Sequence, residues 1–239
     1  MKIVKAGYEI LTPISKDGIE ELKFIEKVAR TCYKSEDKIT EDGSSAIKMV
    51  QNLVKSGHEA MLEHGGMTVK FTVDRGISHE IVRHRMASFA QESTRYCNYS
   101  KGKFGGELTF IQPPFVTDED IENYFTKACT KSDILEEWNK VPIPAWYWLN
   151  VANLVEKNYL NLLEKGLLTP QLARDILPTS LKTEVVMTAN WREWRHFLRL
   201  RAAKDAHPQM REVAEPLLFE MRILIPVLFQ DIWEEVNNA

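Results

Sequence analysis

The sequence predicts an α+β fold, a small sheet wrapped by helices. Two segments, 67–74 and 181–189, alternate between two faces, cleanly in the first, which is the mark of half-buried strands. Around them, apolar residues recur at helical spacing between turn signals. With 239 residues, 44% of them hydrophobic and 27% charged, the chain can bury one sizeable core. Residues 1–239 are therefore read as a single domain.

Each element has its own signature. Residues 17–33 place Ile19, Leu22, Ile25, Ala29 and Cys32 on one side of a helix. Ser44 or Ser45 caps a second helix through Ala46, Met49, Val50 and Leu53, which stops at Gly57. Segment 67–74 turns Met67, Val69, Phe71 and Val73 to one face and Thr68, Lys70, Thr72 and Asp74 to the other. A helix from about Gly76 leads into Arg83-His84-Arg85, and the stretch after it, through Ser88 and Ser93, has no strong period. Residues 107–111 form a short strand ended by Pro113-Pro114, 118–138 an acidic helix, and 145–164 a long aromatic-rich helix ending near Gly166. Thr169-Pro170 supply the cap and first turn of a short helix through Arg174, closed by Pro178. In the second strand Leu181, Thr183, Val185, Met187 and Ala189 share a face, and Asn190 opens a helix ending in Arg199-Leu200-Arg201. No element is assigned beyond Arg201.

Laid on each other at an offset of 116 residues, the two strand-helix segments pair Val69 with Val185, Phe71 with Met187 and Val73 with Ala189. The same offset pairs Arg83 with Arg199 and Arg85 with Arg201, which suggests an internal strand-helix duplication.

Composition narrows the function classes. No apolar run approaches the roughly 20 residues of a membrane span, and the N-terminus has no signal-peptide core. Cys32, Cys97 and Cys129 are odd in number and outside any C-x-x-C spacing, which points to a reducing, cytoplasmic setting and no structural zinc. The net charge of −3 hides two basic stretches. Arg83, Arg85, Arg95 and Lys101 stand against Glu92, a balance of +3; Arg192, Arg195, Arg199, Arg201 and Lys204 stand against Glu193, a balance of +4. Local patches on an acidic chain suit small anionic ligands better than a long polyanion.

Arg83-His84-Arg85 is the densest signal. On a helix these three side chains would cover most of the circumference, so at least one would point into protein or ligand. A guanidinium pointed inward needs an anion, and phosphate fits its fork. The bland alternative is a solvated helix end, where cations complement the macrodipole. Neighbouring signals are weaker. His79-Glu80 with His84 imitates a zinc motif, but at i, i+5 the histidines lie about 140° apart on a helix, so no metal site is assigned. Ser93 has no evident adjacent base, and Cys97 no evident activating group, so positioning and packing are their expected roles. Trp191, Trp194 and Phe197 at helical spacing are core residues before they are ligand-stacking ones.

Read as a pattern, Arg83-His84-Arg85, seven residues, then Ser93 resembles the signature of the flavin-dependent thymidylate synthases. Ala173-Arg174-Asp175-Ile176-Leu177-Pro178 resembles that family's A-R-x-x-L-P element. Asn190 with Phe197-Leu198-Arg199-Leu200-Arg201 resembles its N…F-L-x-x-R element, and the run from Gly57-His58 to Glu63-His64 its G-H-x-x-x-x-E-H turn. The similarity spans about residues 50 to 215. Two positions depart from it: Asp205-Ala206-His207-Pro208 replaces the usual turn after the last arginine helix and is given no role, and Gln91 is Glu in some members.

The resemblance implies reductive methylation of 2′-deoxyuridine 5′-phosphate (dUMP) to thymidine 5′-phosphate. It further implies methylenetetrahydrofolate as one-carbon donor, FAD as hydride carrier, NADPH as reductant, and a homotetramer with sites at subunit interfaces. By the same resemblance His64, Arg83, His84, Arg85, Asn190 and His196 hold the flavin. Glu80, Arg83, Gln91, Ser93, Arg95 and Arg174 hold dUMP, with Arg95 and Arg174 on its phosphate. Arg201 faces the uracil and stabilises the charge that develops there. Two other classes compete: a nucleic-acid-binding module using the basic runs with Tyr96 or Trp191 for stacking, and a nucleotide-binding homologue without turnover.

Overall fold

The computed structural model describes residues 1–102, 105–128 and 141–238. Cys129 and the part of the expected acidic helix from 129 to 138 lie outside the described residues. The strands are β1 (Lys2–Val4), β2 (Gly7–Ile10), β3 (Gly66–Asp74), β4 (Ala87–Gln91), β5 (Thr109–Ile111) and β6 (Lys182–Asn190). The α-helices are α1 (Ile19–Tyr33), α2 (Ser44–Lys55), α3 (Arg75–Ile81), α4 (Asp118–Ala128), α5 (Ile143–Glu164), α6 (Pro170–Ala173), α7 (Trp191–Arg201), α8 (Pro208–Leu224) and α9 (Pro226–Asn238). The fold is α+β, and the described residues form one two-stranded and one four-stranded sheet.

The four-stranded sheet has the order β2-β3-β6-β4. The two strands read from alternation are thus its central neighbours. Met67, Val69, Phe71 and Val73 of β3, and Thr183, Val185, Met187 and Ala189 of β6, are buried. Thr68 and Thr188 bond through their hydroxyls at 2.9 Å. Each strand is followed directly by a helix, as the offset of 116 suggests. The basic pairs are not equivalent, however. α3 has seven residues and ends at Ile81, so Arg83 and Arg85 lie in the turns beyond it. α7 has eleven and carries Arg199 and Arg201 in its last turn.

By contacts the chain groups into two compact units. The first comprises residues 1–6, 72–79 and 91–184, the second 7–71, 80–90 and 185–239. In the first, β1 runs parallel to β5 with Lys2 opposite Thr109 and Val4 opposite Ile111. α5 packs Ala152 and Tyr159 against Phe110, Ala173 and Leu181, and Ala145 and Leu149 against Val116 and Tyr124. In the second unit, α1 buries Leu22, Ile25 and Ala29. Cys32, expected on that face, is exposed, because the last turn of α1 runs out to the surface with Tyr33.

Three further expectations change. The cap of α2 is Gly43, not Ser44 or Ser45: its φ of 78° is left-handed, and a Cβ there would meet the Ile19 side chain at 2.5 Å. Ser45 instead donates to Glu26 at 2.9 Å. The stretch after Arg85 contains strand β4, with Ala87, Phe89 and Gln91 half-buried and Ser88 and Ala90 exposed. Its small residues give too little apolar contrast for the alternation to be read. Finally, α8 and α9 follow Arg201. Pro208 and Pro226 sit at their first turns, where a missing N–H costs nothing, and Met210, Val213, Ala214, Leu217, Leu218 and Met221 form one buried stripe.

Candidate active site

The start of β3 and the end of β6 approach so closely that a Cβ on Gly66 would collide with the Ala189 carbonyl oxygen. Trp191 N–H, at the start of α7, donates to the Gly65 carbonyl at 3.0 Å. At this junction lies a cleft of about 540 Å³, lined by Thr12, Gly65, Thr68, Arg85, Thr188 and Asn190 among others. A second cleft of about 340 Å³ shares Glu63, Met86 and Asn190 with it and adds Glu59, Arg192, Glu193, His196 and Arg199. Both are clefts of the second unit; Arg85 of the Arg83-His84-Arg85 turn lines the first, and Met86, next in sequence, lines both.

That turn resolves the question of which cation points inward. Arg83 and Arg85 are exposed, and neither guanidinium has a hydrogen-bond or ion-pair partner among the described residues. The buried member is His84, 6% exposed. A neutral imidazole is far cheaper to bury than a guanidinium. Its Nδ1 lies 2.9 Å from Glu193 Oε1, and its Nε2 accepts from Arg201 Nε at 3.1 Å. Because a guanidinium only donates, Nε2 must carry the lone pair, so Nδ1 carries the proton and donates to Glu193. Burial, opposed by the hydrogen bond to Glu193 and reinforced by the charge of Arg201, holds the His84 pKa below its ordinary value.

Arg201 is fixed on its other side by Glu80. Its Nη1 donates to Glu80 Oε2 at 2.7 Å and its Nη2 to the Glu80 carbonyl at 3.2 Å. Among the described residues three of the five guanidinium N–H groups are thus engaged, which leaves two for a ligand. The side chain is 22% exposed, so it is held by protein and still reachable. His84, Glu193 and His196 also bring ligand atoms within 4.8 Å of one another, a spacing a metal could use. The described geometry gives both His84 nitrogens to protein partners and sets the Arg201 cation beside the group, an arrangement that favours a hydrogen-bonded chain over a metal.

The remaining predicted residues fall as follows. Asn190 caps α7, its Oδ1 accepting from Glu193 N–H at 2.9 Å, and lines both clefts. His196 lines the second cleft, its ring centroid 5.6 Å from that of His84. His64 is exposed at the end of the 3-10 turn Glu59–Glu63. In the first unit, the Gln91 amide nitrogen donates to Ser78 at 2.8 Å and lies 3.4 Å from the Thr183 hydroxyl. Ser93 Oγ accepts from Arg95 N–H at 3.3 Å, and the exposed Arg95 guanidinium lies 5.4 Å from the Tyr96 ring. Arg174 is exposed on the 3-10 turn Arg174–Ile176. Cys97 packs against the Phe110–Tyr159 cluster, and Trp191, Trp194 and Phe197 are buried core residues.

The second basic stretch differs from its sequence reading. Arg192 pairs with Glu63, Arg195 with Glu59 and Asp231, Arg199 with Glu235 and Arg201 with Glu80. Its formal balance of +4 is spent largely inside the protein, since the compensating acids come from other elements. Sequence reasoning also passed over Glu193 and the Gly65-Gly66 pair. Asn190-x-x-Glu193 has the spacing of a capping box, in which the acid turns back to the cap; here the carboxylate goes to His84 instead. The glycine pair just before an alternating strand was the available sign of a close backbone approach.

Comparison with known proteins adds the family. Residues 17–227 match the family described as thymidylate synthase complementing protein. The chain is 30% identical to the flavin-dependent thymidylate synthase of Corynebacterium glutamicum over 218 residues, 90% of this chain and 80% of the relative. It is 28% identical to the protein of the same name from Mycobacterium sp. (strain JLS) over 226 residues, 92% and 83% of the two chains. To that of Mycobacterium tuberculosis it is 27% identical over 210 residues, 87% and 78%. With the R-H-R turn, the Arg201 fork and the Asn190 cap in place on this fold, the chain belongs to the thymidylate synthase complementing protein family, the enzymes named flavin-dependent thymidylate synthases.

Proposed function

We propose that this chain methylates dUMP reductively to thymidine 5′-phosphate, with methylenetetrahydrofolate as one-carbon donor, FAD as bound cofactor and NADPH as reductant, acting as a homotetramer. The observation that carries the reading is the Arg201 guanidinium, gripped by Glu80 and His84 with two N–H groups left over. C5 of uracil becomes nucleophilic only as negative charge builds on the ring, and a preorganised guanidinium stabilises that charge. Arg201 cannot give up its proton at neutral pH, so its role is electrophilic.

The clefts of the second unit fit a flavin by their donor set. Arg85, Asn190 and His196 line them, and unpartnered guanidiniums on Arg83 and Arg85 suit the anionic pyrophosphate. When bound, FAD would carry the hydride. His64, Arg83, His84, Arg85, Asn190 and His196 would hold it. Glu80, Gln91, Ser93, Arg95 and Arg174 would hold dUMP, the exposed forks of Arg95 and Arg174 on its phosphate. No described helix is long and apolar enough to cross a membrane. The nucleic-acid reading weakens because the α7 arginines are each paired with an acid of this chain.

The test is product formation. Purified protein supplied with FAD, dUMP, methylenetetrahydrofolate and NADPH is expected to release thymidine 5′-phosphate and to show flavin absorbance. A flavin-loaded protein that binds dUMP and forms no product would overturn the reading.

A further inference from the structure

We propose that Glu193 is a positioning residue for this reaction: by accepting a hydrogen bond from His84 Nδ1–H it keeps the Nε2 lone pair aimed at Arg201, and so holds the guanidinium that faces the substrate. The inference rests on the function proposed above and extends it to a residue that lines the second cleft and acts here through His84.

Glu193, His84, Arg201 and Glu80 form one continuous chain. Glu193 Oε1 meets His84 Nδ1 at 2.9 Å, His84 Nε2 meets Arg201 Nε at 3.1 Å, and Arg201 Nη1 meets Glu80 Oε2 at 2.7 Å. A neutral imidazole has two tautomers, and only one suits this chain. With the proton on Nε2, two donors would face each other across 3.1 Å and Arg201 would be pushed off its Nε contact. The Arg201 donor at Nε2 and an acceptor at Nδ1 favour the same form, and Glu193 is that acceptor. Phe197 closes the edge of the ring at 4.9 Å between centroids, so the imidazole cannot swing away without opening the core. Glu193 is itself fixed by its place in the first turn of α7, where its N–H bonds the Asn190 cap at 2.9 Å. Glu80 alone leaves Arg201 free to pivot about the Glu80 contacts; the Nε contact stops that rotation. The same logic fixes the tautomer of a metal-bound or catalytic histidine through its far nitrogen.

The experiment uses flavin-loaded protein carrying Glu193→Leu, which keeps bulk but has no acceptor, and Glu193→Gln, whose amide oxygen can still accept. For Glu193→Leu, kcat for thymidylate formation is expected to fall at least about fivefold, with the KM for dUMP within about threefold and flavin absorbance kept. Glu193→Gln is expected to stay within about threefold of the parent. A smaller loss in the Leu variant, a loss confined to KM, or a Gln variant as impaired as Leu would overturn the proposal. Should the Leu variant not fold, ¹⁵N-histidine labelling of the flavin-loaded parent decides instead. The two-bond proton–nitrogen pattern of His84 is expected to be that of the Nδ1–H tautomer at neutral pH, and the Nε2–H form or a doubly protonated ring would contradict it. If the parent makes no thymidylate, the functional reading fails on its own, and the tautomer measurement still decides what Glu193 does.

Discussion

Arg83 and Arg85 stand exposed in a turn with no partner for either guanidinium among the described residues, whereas α7 ties Arg192 to Glu63, Arg195 to Glu59 and Asp231, and Arg199 to Glu235. Both regions look alike in sequence: short basic runs beside apolar ones. Their difference lies in how each charge is compensated. A cation left unpaired beside a cleft keeps its full donor set for an anionic ligand. A cation paired within the protein spends that capacity on the fold. Arg201 belongs to both classes, since Glu80 and His84 hold it while two N–H groups stay available.

The largest test of this division is Arg195. Its side chain is 2% exposed, and its removal would leave Glu59 and Asp231 facing a void. Breaking a buried pair costs about 3–5 kcal/mol, and the partial exposure of Asp231 argues for the lower end. Arg195→Met is therefore expected to lose about 3 kcal/mol, a fall in Tm of roughly 6–12 °C for a chain of this size. A thermal melt within about 2 °C of the parent would break the comparison at its structural end.

Arg201→Lys sharpens the middle case. It keeps the charge and loses the planar fork. Turnover on dUMP is expected to fall at least about tenfold, roughly 1.4 kcal/mol of transition-state stabilisation, with flavin binding largely kept. Steady-state assay decides it, and turnover within twofold of the parent would remove Arg201 from the electrophilic role.

Ser93 and Cys97 probe whether any protein nucleophile is needed. Ser93→Ala deletes one positioning bond and is expected to raise the dUMP requirement by about 1–2 kcal/mol in affinity, with product still formed at saturation. Cys97→Ala, which removes a packing contact with the Phe110–Tyr159 cluster, should change turnover little. No product from either variant, folded and flavin-loaded at saturating dUMP, would make that residue a covalent catalyst.

The smallest effect is in pH. His84 has a depressed pKa when folded, so below about 6.5 the unfolded chain binds the proton and the folded chain resists it. The stability contributed by neutral His84 is present above that value and is lost as pH falls below it. One such group changes stability by at most about 1.4 kcal/mol per pH unit. Melts of the parent and His84→Gln between pH 7.5 and 5.5 should diverge, the parent losing more. Parallel curves would mean that His84 does not resist protonation.

The sequence made the central sheet readable because β3 and β6 set large apolar residues against Thr, Lys and Glu on alternate positions. β4 stayed hidden since Ala87, Ser88 and Ala90 carry no such contrast. The cap at Asn190 and the long helix α5 were equally plain, being local. What could not be read were pairings across the chain: Glu59 lies 136 positions from Arg195, and Glu80 lies 121 from Arg201. The inward member of Arg83-His84-Arg85 was likewise undecided, because a helical projection assumed there gives way to a turn and burial selects the imidazole. Glu193 was masked by a spacing that already has a local explanation.

FAD affinity of Arg85→Ala against the parent, with Tm followed on the same samples, tests the division between ligand-facing and structural arginines most directly. One charge-assisted bond of about 1.5–3 kcal/mol lost from the cleft predicts affinity weaker by roughly 10- to 100-fold. Because Arg85 has no partner among the described residues, Tm is expected to stay within about 2 °C. Unchanged FAD affinity, or a weakened affinity that comes with a destabilised fold, would contradict the account.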